Sequence, residues 1–178
     1  MRFVQVMGEA YENIGFVAIK NHGLNKALQD RLYSSITTFF SLPDAVKAQY
    51  EKPEIGYQRG YTGKGKEHAK GRNTGDLKEF YHVYPWGRVP PELEDITRRL
   101  YQDLTTLGIE LLGWLDDALP DHLRQALSLP LADMMQESQQ SLLRILHYPA
   151  LAEAPEPNAI RAAAHEDINL ITLLLAGS

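Results

Sequence analysis

His165 and Asp167 are the residues whose types and spacing point most directly to chemistry. Residues i and i+2 of an extended strand share a face, so this imidazole and this carboxylate can aim at one point. With a second histidine they would complete the two-histidine, one-carboxylate set that suits ferrous iron and leaves positions open for other ligands. No histidine follows Asp167 in the 178 residues. The plainer alternative is a pair of polar side chains that happen to stand two apart at the mouth of a strand.

Other patterns carry less. Gly60-Tyr-Thr-Gly-Lys-Gly65-Lys66-Glu67 approaches the phosphate-binding G-x-x-x-x-G-K-[ST] loop. Its last residue is Glu, which lacks the metal-binding hydroxyl and repels phosphate, and no buried strand leads into it. Glu79-x-x-His82 has the spacing of helical di-iron sites, but those need two copies on helices. Its neighbours Phe80, Tyr81, Val83 and Tyr84 favour a strand carrying a hydrogen-bonded histidine. His22 reads as a turn residue, and His68 and His122 lie in polar contexts. His147 and Tyr148 alternate on one late strand, so one of them can face a metal pocket. No Gly-x-Ser-x-Gly supports serine catalysis.

The elements that must position these residues follow from apolar periodicity. Residues 3–13 read as an amphipathic helix. Ile14–Ile19 reads as a buried strand. Asn25 can cap a helix with the stripe Leu28, Leu32, Ile36 and Phe39/Phe40. A shorter helix starts near Pro43-Asp44. Residues 51–76 hold six of the 13 glycines (Gly56, Gly60, Gly63, Gly65, Gly71, Gly75), a long functional or disordered loop. Lys78–Tyr84 reads as a strand. Pro90-Pro91 opens a helix to about Leu119, on the order of 40 Å long, in which Gly108 and Gly113 suggest close packing of another element. A further short helix fits 121–129. From Ser141 the pattern turns to strands: 141–149, then the apolar run after Asp167. Helices first and strands last predict an α+β chain.

Composition narrows the function classes. Apolar residues make up 44% and charged residues 23%, as in ordinary globular domains. The net charge of −5 disfavours nucleic acid or an acidic membrane as partner. The basic cluster Arg59, Lys64, Lys66, Lys70 and Arg72 reads as a solvated surface. There is no cysteine, which excludes disulfides, thiolate metal sites and thiol catalysis. A polar N-terminus and the lack of a long apolar run predict a cytoplasmic protein.

Taken in order, Gly15-Phe-Val-Ala-Ile-Lys-Asn21-His22-Gly23, Phe39-Phe-Ser-Leu-Pro43-Asp, Gly56-Tyr-Gln-Arg-Gly60-Tyr, Asp76-Leu-Lys-Glu79-Phe, Leu143-Arg-Ile-Leu-His-Tyr148-Pro149 and Ala164-His165-Glu-Asp167 resemble the isopenicillin N synthase-like Fe(II)/2-oxoglutarate oxygenases. The resemblance implies a mostly helical N-terminal region over 1–120 and, over 141–178, the first strands of a double-stranded β-helix, or jelly roll. It implies His165 and Asp167 as iron ligands, Tyr148 as a cosubstrate contact and Arg59 as a substrate contact. Where plant relatives often carry Asn, two residues before that tyrosine, this chain has Leu146. Fe(II), O2 and 2-oxoglutarate are the implied cofactor and cosubstrates, and a small molecule the implied substrate. The distal iron-binding histidine and the Arg-x-Ser clamp are expected beyond Ser178, and a first strand before Met1. The expectation is therefore a fragment with little activity of its own. The same family includes oxidases that use no 2-oxo acid and an ethylene- and succinate-forming enzyme. A non-catalytic jelly-roll binding module and a zinc-dependent hydrolase are the rival classes.

Overall fold

Asn25 does what its place before an apolar stripe dictates. In the computed structural model, which describes residues 2–66, 77–136, 138–151, 161, 167 and 169–175, its Oδ1 accepts the Leu28 N–H at 3.2 Å. That bond satisfies one of the orphan donors at the start of helix α2 (Lys26–Phe40). The expected stripe is the buried face: Leu28, Leu32, Phe39 and Phe40. α1 (Arg2–Asn13) precedes it, and the single turn α3 (Asp44–Lys47) follows behind Pro43. Two 3-10 turns, Ala48–Tyr50 and Pro53–Ile55, continue the chain.

The long helix is α4 (Glu94–Ala118). Pro90 O accepts the Leu93 and Glu94 N–H groups, and Glu94 and Asp95 place negative charge at the positive end of the helix. Leu28, Leu32, Ile96 and Leu100 form the seam between α2 and α4. α1 crosses the far end of α4, where a Cβ on Gly8 would come within 2.8 Å of the Ala118 Cβ and Phe3 meets Trp114 edge-on at 5.0 Å. After the single turn α5 (Asp121–Arg124), α6 (Leu131–Gln136) packs back along α4. Met135 of α6 fills the space beside Gly108, its Sδ 2.9 Å from where a Cβ would sit, so the expected close packing is found there. Among the described residues it is not found at Gly113, where an added Cβ would meet nothing within 4 Å.

Three strands complete the architecture: β1 (Gly60–Thr62), β2 (Glu79–Val83) and β3 (Leu143–His147). They form one antiparallel sheet in the order β1-β2-β3. The arrangement is α+β, with β3 joined edge to edge to the strand that precedes α4. The central strand is buried on both faces, as a middle strand covered on both sides requires. Phe39 organises the aromatic core against one face, meeting Phe40, Tyr50, Tyr61 and Tyr81 edge-on with centroids 5.2–6.1 Å apart.

Three expectations change. Ile14–Ile19 is not a buried strand: no described strand pairs with it, and Ile14 and Phe16 are 76% and 62% exposed. An apolar run shows a preference for burial but not the neighbour that would satisfy it. Among the described residues, 169–175 likewise carry no strand pairing, and Leu174 is 77% exposed. The Gly-rich stretch contains a strand, β1, whose first residue needs glycine. Gly60 has φ +73°, and a Cβ there would lie 2.2 Å from the Tyr50 carbonyl oxygen. Gly60→Ala combines a left-handed backbone with a backbone clash and should destabilise the fold by about 3 kcal/mol or more. Urea unfolding tests this; a change below about 1 kcal/mol would contradict the geometry.

Candidate functional site

A glutamate in an otherwise apolar buried strand demands partners, because an isolated buried carboxylate is prohibitively costly. Glu79 opens β2 with its side chain 2% exposed. Oε2 accepts from Lys47 Nζ at 2.8 Å and from the Tyr61 hydroxyl at 2.5 Å. Oε1 is 2.8 Å from His147 Nδ1. The three donors come from α3, β1 and β3, so one carboxylate ties together elements far apart in sequence. Lys47 is also buried, and its ammonium reaches the Phe40 carbonyl at 3.2 Å and Asp44 Oδ1 at 3.1 Å. All three of its protons therefore have acceptors. His147 stacks on Phe40 with centroids 5.0 Å apart.

The charge states are locked. Burial opposes the ionised form of Glu79, but the hydrogen bonds from Lys47, Tyr61 and His147 outweigh it and hold the carboxyl below its usual range. Burial likewise works against the Lys47 ammonium, and Glu79 and Asp44 more than compensate, raising its pKa. Burial, then the Glu79 carboxylate, push the Tyr61 phenol far up. Near neutral pH Glu79 stays negative, Lys47 positive and Tyr61 protonated. These three groups hold geometry rather than moving protons. Sequence reasoning missed it because Lys47 and Glu79 share no local motif. The one available signal was a charge amid Phe80, Tyr81 and Val83.

Three of the residues singled out in sequence lie among the described ones. Tyr148 stands directly after β3, partly exposed, its carbonyl accepting from Arg161 Nη1 at 3.2 Å. Asp167 is exposed, and its Oδ2 accepts from the Thr172 hydroxyl at 3.0 Å. His165 lies outside the described residues. Among the described residues no group of three or more His, Asp or Glu side chains could hold a metal ion. The Arg59 guanidinium lies over Trp86 at 3.1 Å and over Tyr84 at 4.5 Å. The registers Gly60↔His82 and Glu79↔His147 put Arg59 and Tyr148 at opposite ends of the sheet, two strands apart. At ordinary strand spacings their backbones are roughly 19 Å from each other. The sheet therefore does not bring Arg59 and Tyr148 together.

The lesser motifs resolve as expected. Glu79 and His82, three apart on a strand, face opposite ways and cannot share a metal. His82 Nδ1 is 2.8 Å from the Gln58 carbonyl. Gly60–Thr62 is paired to β2, and Lys66 Nζ lies 2.6 Å from both Glu51 carboxylate oxygens, so this segment is not a phosphate loop. His22 Nδ1 accepts the Leu24 N–H within its turn. No described helix is long and apolar enough to cross a membrane.

Comparison with known proteins places this arrangement. The family described as "non-haem dioxygenase in morphine synthesis N-terminal" matches residues 1–102. An oxygenase structure from Shewanella oneidensis is similar at 39% identity and a TM-score of 0.80, over 94% of this chain and 59% of that one. A 2OG-Fe(II) oxygenase family protein from Caulobacter crescentus is similar at 29% identity and a TM-score of 0.63, over 86% and 53%. Flavonol synthase 3 of Arabidopsis thaliana is 30% identical over 178 residues, 94% of this chain and 56% of that protein. The chain spans about half the length of the curated relatives it matches.

Removing one charge from the cluster strands the other. Glu79→Ala should cost about 3–5 kcal/mol, and the double variant Lys47→Met/Glu79→Leu less than the sum of its single changes. Urea unfolding of the unaltered protein, Glu79→Ala, the two single changes Lys47→Met and Glu79→Leu, and the double variant tests this, and strict additivity would contradict the pairing. Acid titration adds a sign. Because the folded pKa of Glu79 is depressed, its contribution is present above the unfolded value of about 4.3 and is lost as pH falls through the folded one. Lys47, raised, contributes fully below about 10.4 and loses its contribution as pH rises through its folded pKa. The Glu79 variants should lack that acid-limb slope.

Proposed function

This chain belongs to the non-haem Fe(II)/2-oxoglutarate oxygenase family, and we propose that the protein carrying it is a dioxygenase that oxidises a small molecule with O2, using 2-oxoglutarate as cosubstrate. The observation that carries the reading is the family match over 1–102 together with the downstream His165-Glu-Asp167. Imidazole and carboxylate are the donor types that suit ferrous iron, and Asp167 is a surface-exposed hard anionic donor. Iron, when bound, would supply open positions for the 2-oxo acid and for O2, the oxidant that makes cleavage of a substrate C–H bond possible.

In this reading His165 and Asp167 hold the metal, and the Tyr148 phenol hydrogen-bonds the cosubstrate. Arg59, at the far end of the sheet, meets a remote part of the substrate with a guanidinium already oriented by Trp86 and Tyr84. β3 is the opening strand of the jelly roll, and residues 1–120 are the helical region that packs against it. The pairing of β2 with β3 supports a continuous sheet from one region to the other.

The test is conversion of 2-oxoglutarate to succinate with Fe(II) and O2 by the protein that carries this chain. Asp167→Ala should lower that turnover on the order of 100-fold or more, with loss of Fe(II) binding, as removal of a metal ligand does. Unaltered iron content and turnover in that variant would sink the ligand assignment. Oxygen uptake indifferent to 2-oxoglutarate would sink the cosubstrate.

A further inference from the structure

We propose that the Glu79–His147 pair is a positioning device for Tyr148, which fixes the phenol where the cosubstrate is read; this rests on the reading of Tyr148 given above. Glu79↔His147 is the last register pair between β2 and β3. Tyr148 is the first residue past the ladder, and Pro149 follows it. Proline has no N–H to extend the pairing, so among the described residues the ladder ends before Tyr148, whose backbone keeps one hydrogen bond, from the exposed Arg161 Nη1 to its carbonyl at 3.2 Å. A strand end of this kind frays unless a side chain secures it.

His147 provides that hold. The ionised Glu79 carboxylate can only accept, so His147 Nδ1 carries the proton and donates it across 2.8 Å. Phe40 stacks on the ring at 5.0 Å and stops it turning about that bond. Glu79 itself cannot shift, because Lys47 and Tyr61 hold its other oxygen in a buried setting. The path from α3 through Glu79 to the end of β3 is thus rigid. Alternation then turns Tyr148 to the opposite face of the sheet, away from Phe40 and α2. His147 is therefore the neighbour that faces the helices and Tyr148 the one that can face a metal pocket. A misplacement of about 1 Å at a substrate-positioning group can cost up to about 100-fold, so a loosened strand end should be measurable.

The experiment compares His147→Leu with His147→Asn in the protein that carries this chain. Leu removes the donor; Asn keeps an amide N–H near the place of Nδ1. The readouts are 2-oxoglutarate affinity by anaerobic calorimetry, the split between KM for 2-oxoglutarate and kcat, and Tm. The expected result for His147→Leu is about 10-fold weaker 2-oxoglutarate binding and a matching rise in KM, with kcat changed less than about 3-fold. His147→Asn should recover most of the affinity. Unchanged affinity in His147→Leu overturns the proposal. So does a parallel fall of kcat and Tm that Asn does not repair, because that marks a merely structural residue. If the unaltered protein does not bind 2-oxoglutarate, the cosubstrate reading of Tyr148 fails first, and the positioning role falls with it.

Discussion

The burial of one carboxylate governs how the helical and sheet layers meet. Taking Glu79 out of water would cost several kcal/mol alone, and its attraction to Lys47 repays that only when the remaining lone pairs are filled. Tyr61 and His147 fill them. The consequence is geometric. α3, β1 and β3 must all reach the same point beside β2, and any slip of register would leave a buried charge unpaired. Apolar packing alone tolerates small shifts; a four-membered polar cluster does not.

The aromatic core cooperates with this constraint. Phe39 and Phe40 end α2 as neighbours, and each does a different job. Phe39 is fully buried among Tyr50, Tyr61 and Tyr81, which sets the distance from α2 to the sheet. Phe40 stacks on His147, and its carbonyl accepts from Lys47. The C-terminal turn of α2 therefore contacts the polar cluster through both ring and backbone. Tyr81 adds a tie to the loop before α4 through its hydroxyl, 2.8 Å from the Arg88 carbonyl. α2 is thus held both by the sheet, through Phe39 and Phe40, and by α4, through the Leu28, Leu32, Ile96 and Leu100 seam.

How much of this could be read from the chain depended on the range of the interaction. The α2 stripe, its Asn25 cap, the long helix and the strands around residues 80 and 145 are written in local periodicity, and all are present. The packing at Gly108 was readable because a glycine inside a helix needs a reason; the vacancy at Gly113 shows that the reason is not always a neighbour. Ile14–Ile19 misled because β-branched residues report a preference for burial without naming a partner strand. α6 was missed because six residues hold too little periodicity to show. The candidate ligand pair was visible as His165 and Asp167, whereas the Lys47–Glu79 contact joins positions that only the tertiary fold brings together.

The separation between the two faces of the sheet gives the arrangement its logic. The helix-facing side carries Tyr61, Glu79, Tyr81, Ile145 and His147, locked by charge and aromatic packing. Alternation puts Leu146 and Tyr148 on the other side, where both are partly exposed. Every group on the locked side whose pKa shift is resolved moves away from neutrality: Glu79 down, Lys47, Tyr61 and Tyr81 up. Those four groups therefore keep their charge states as pH varies around neutrality. A rigid backing behind a strand whose front carries the candidate contact residue Tyr148 is what preorganisation requires. On this argument the division of labour is set by the alternation of β3 itself: each residue that strengthens the back leaves its neighbour on the front better placed.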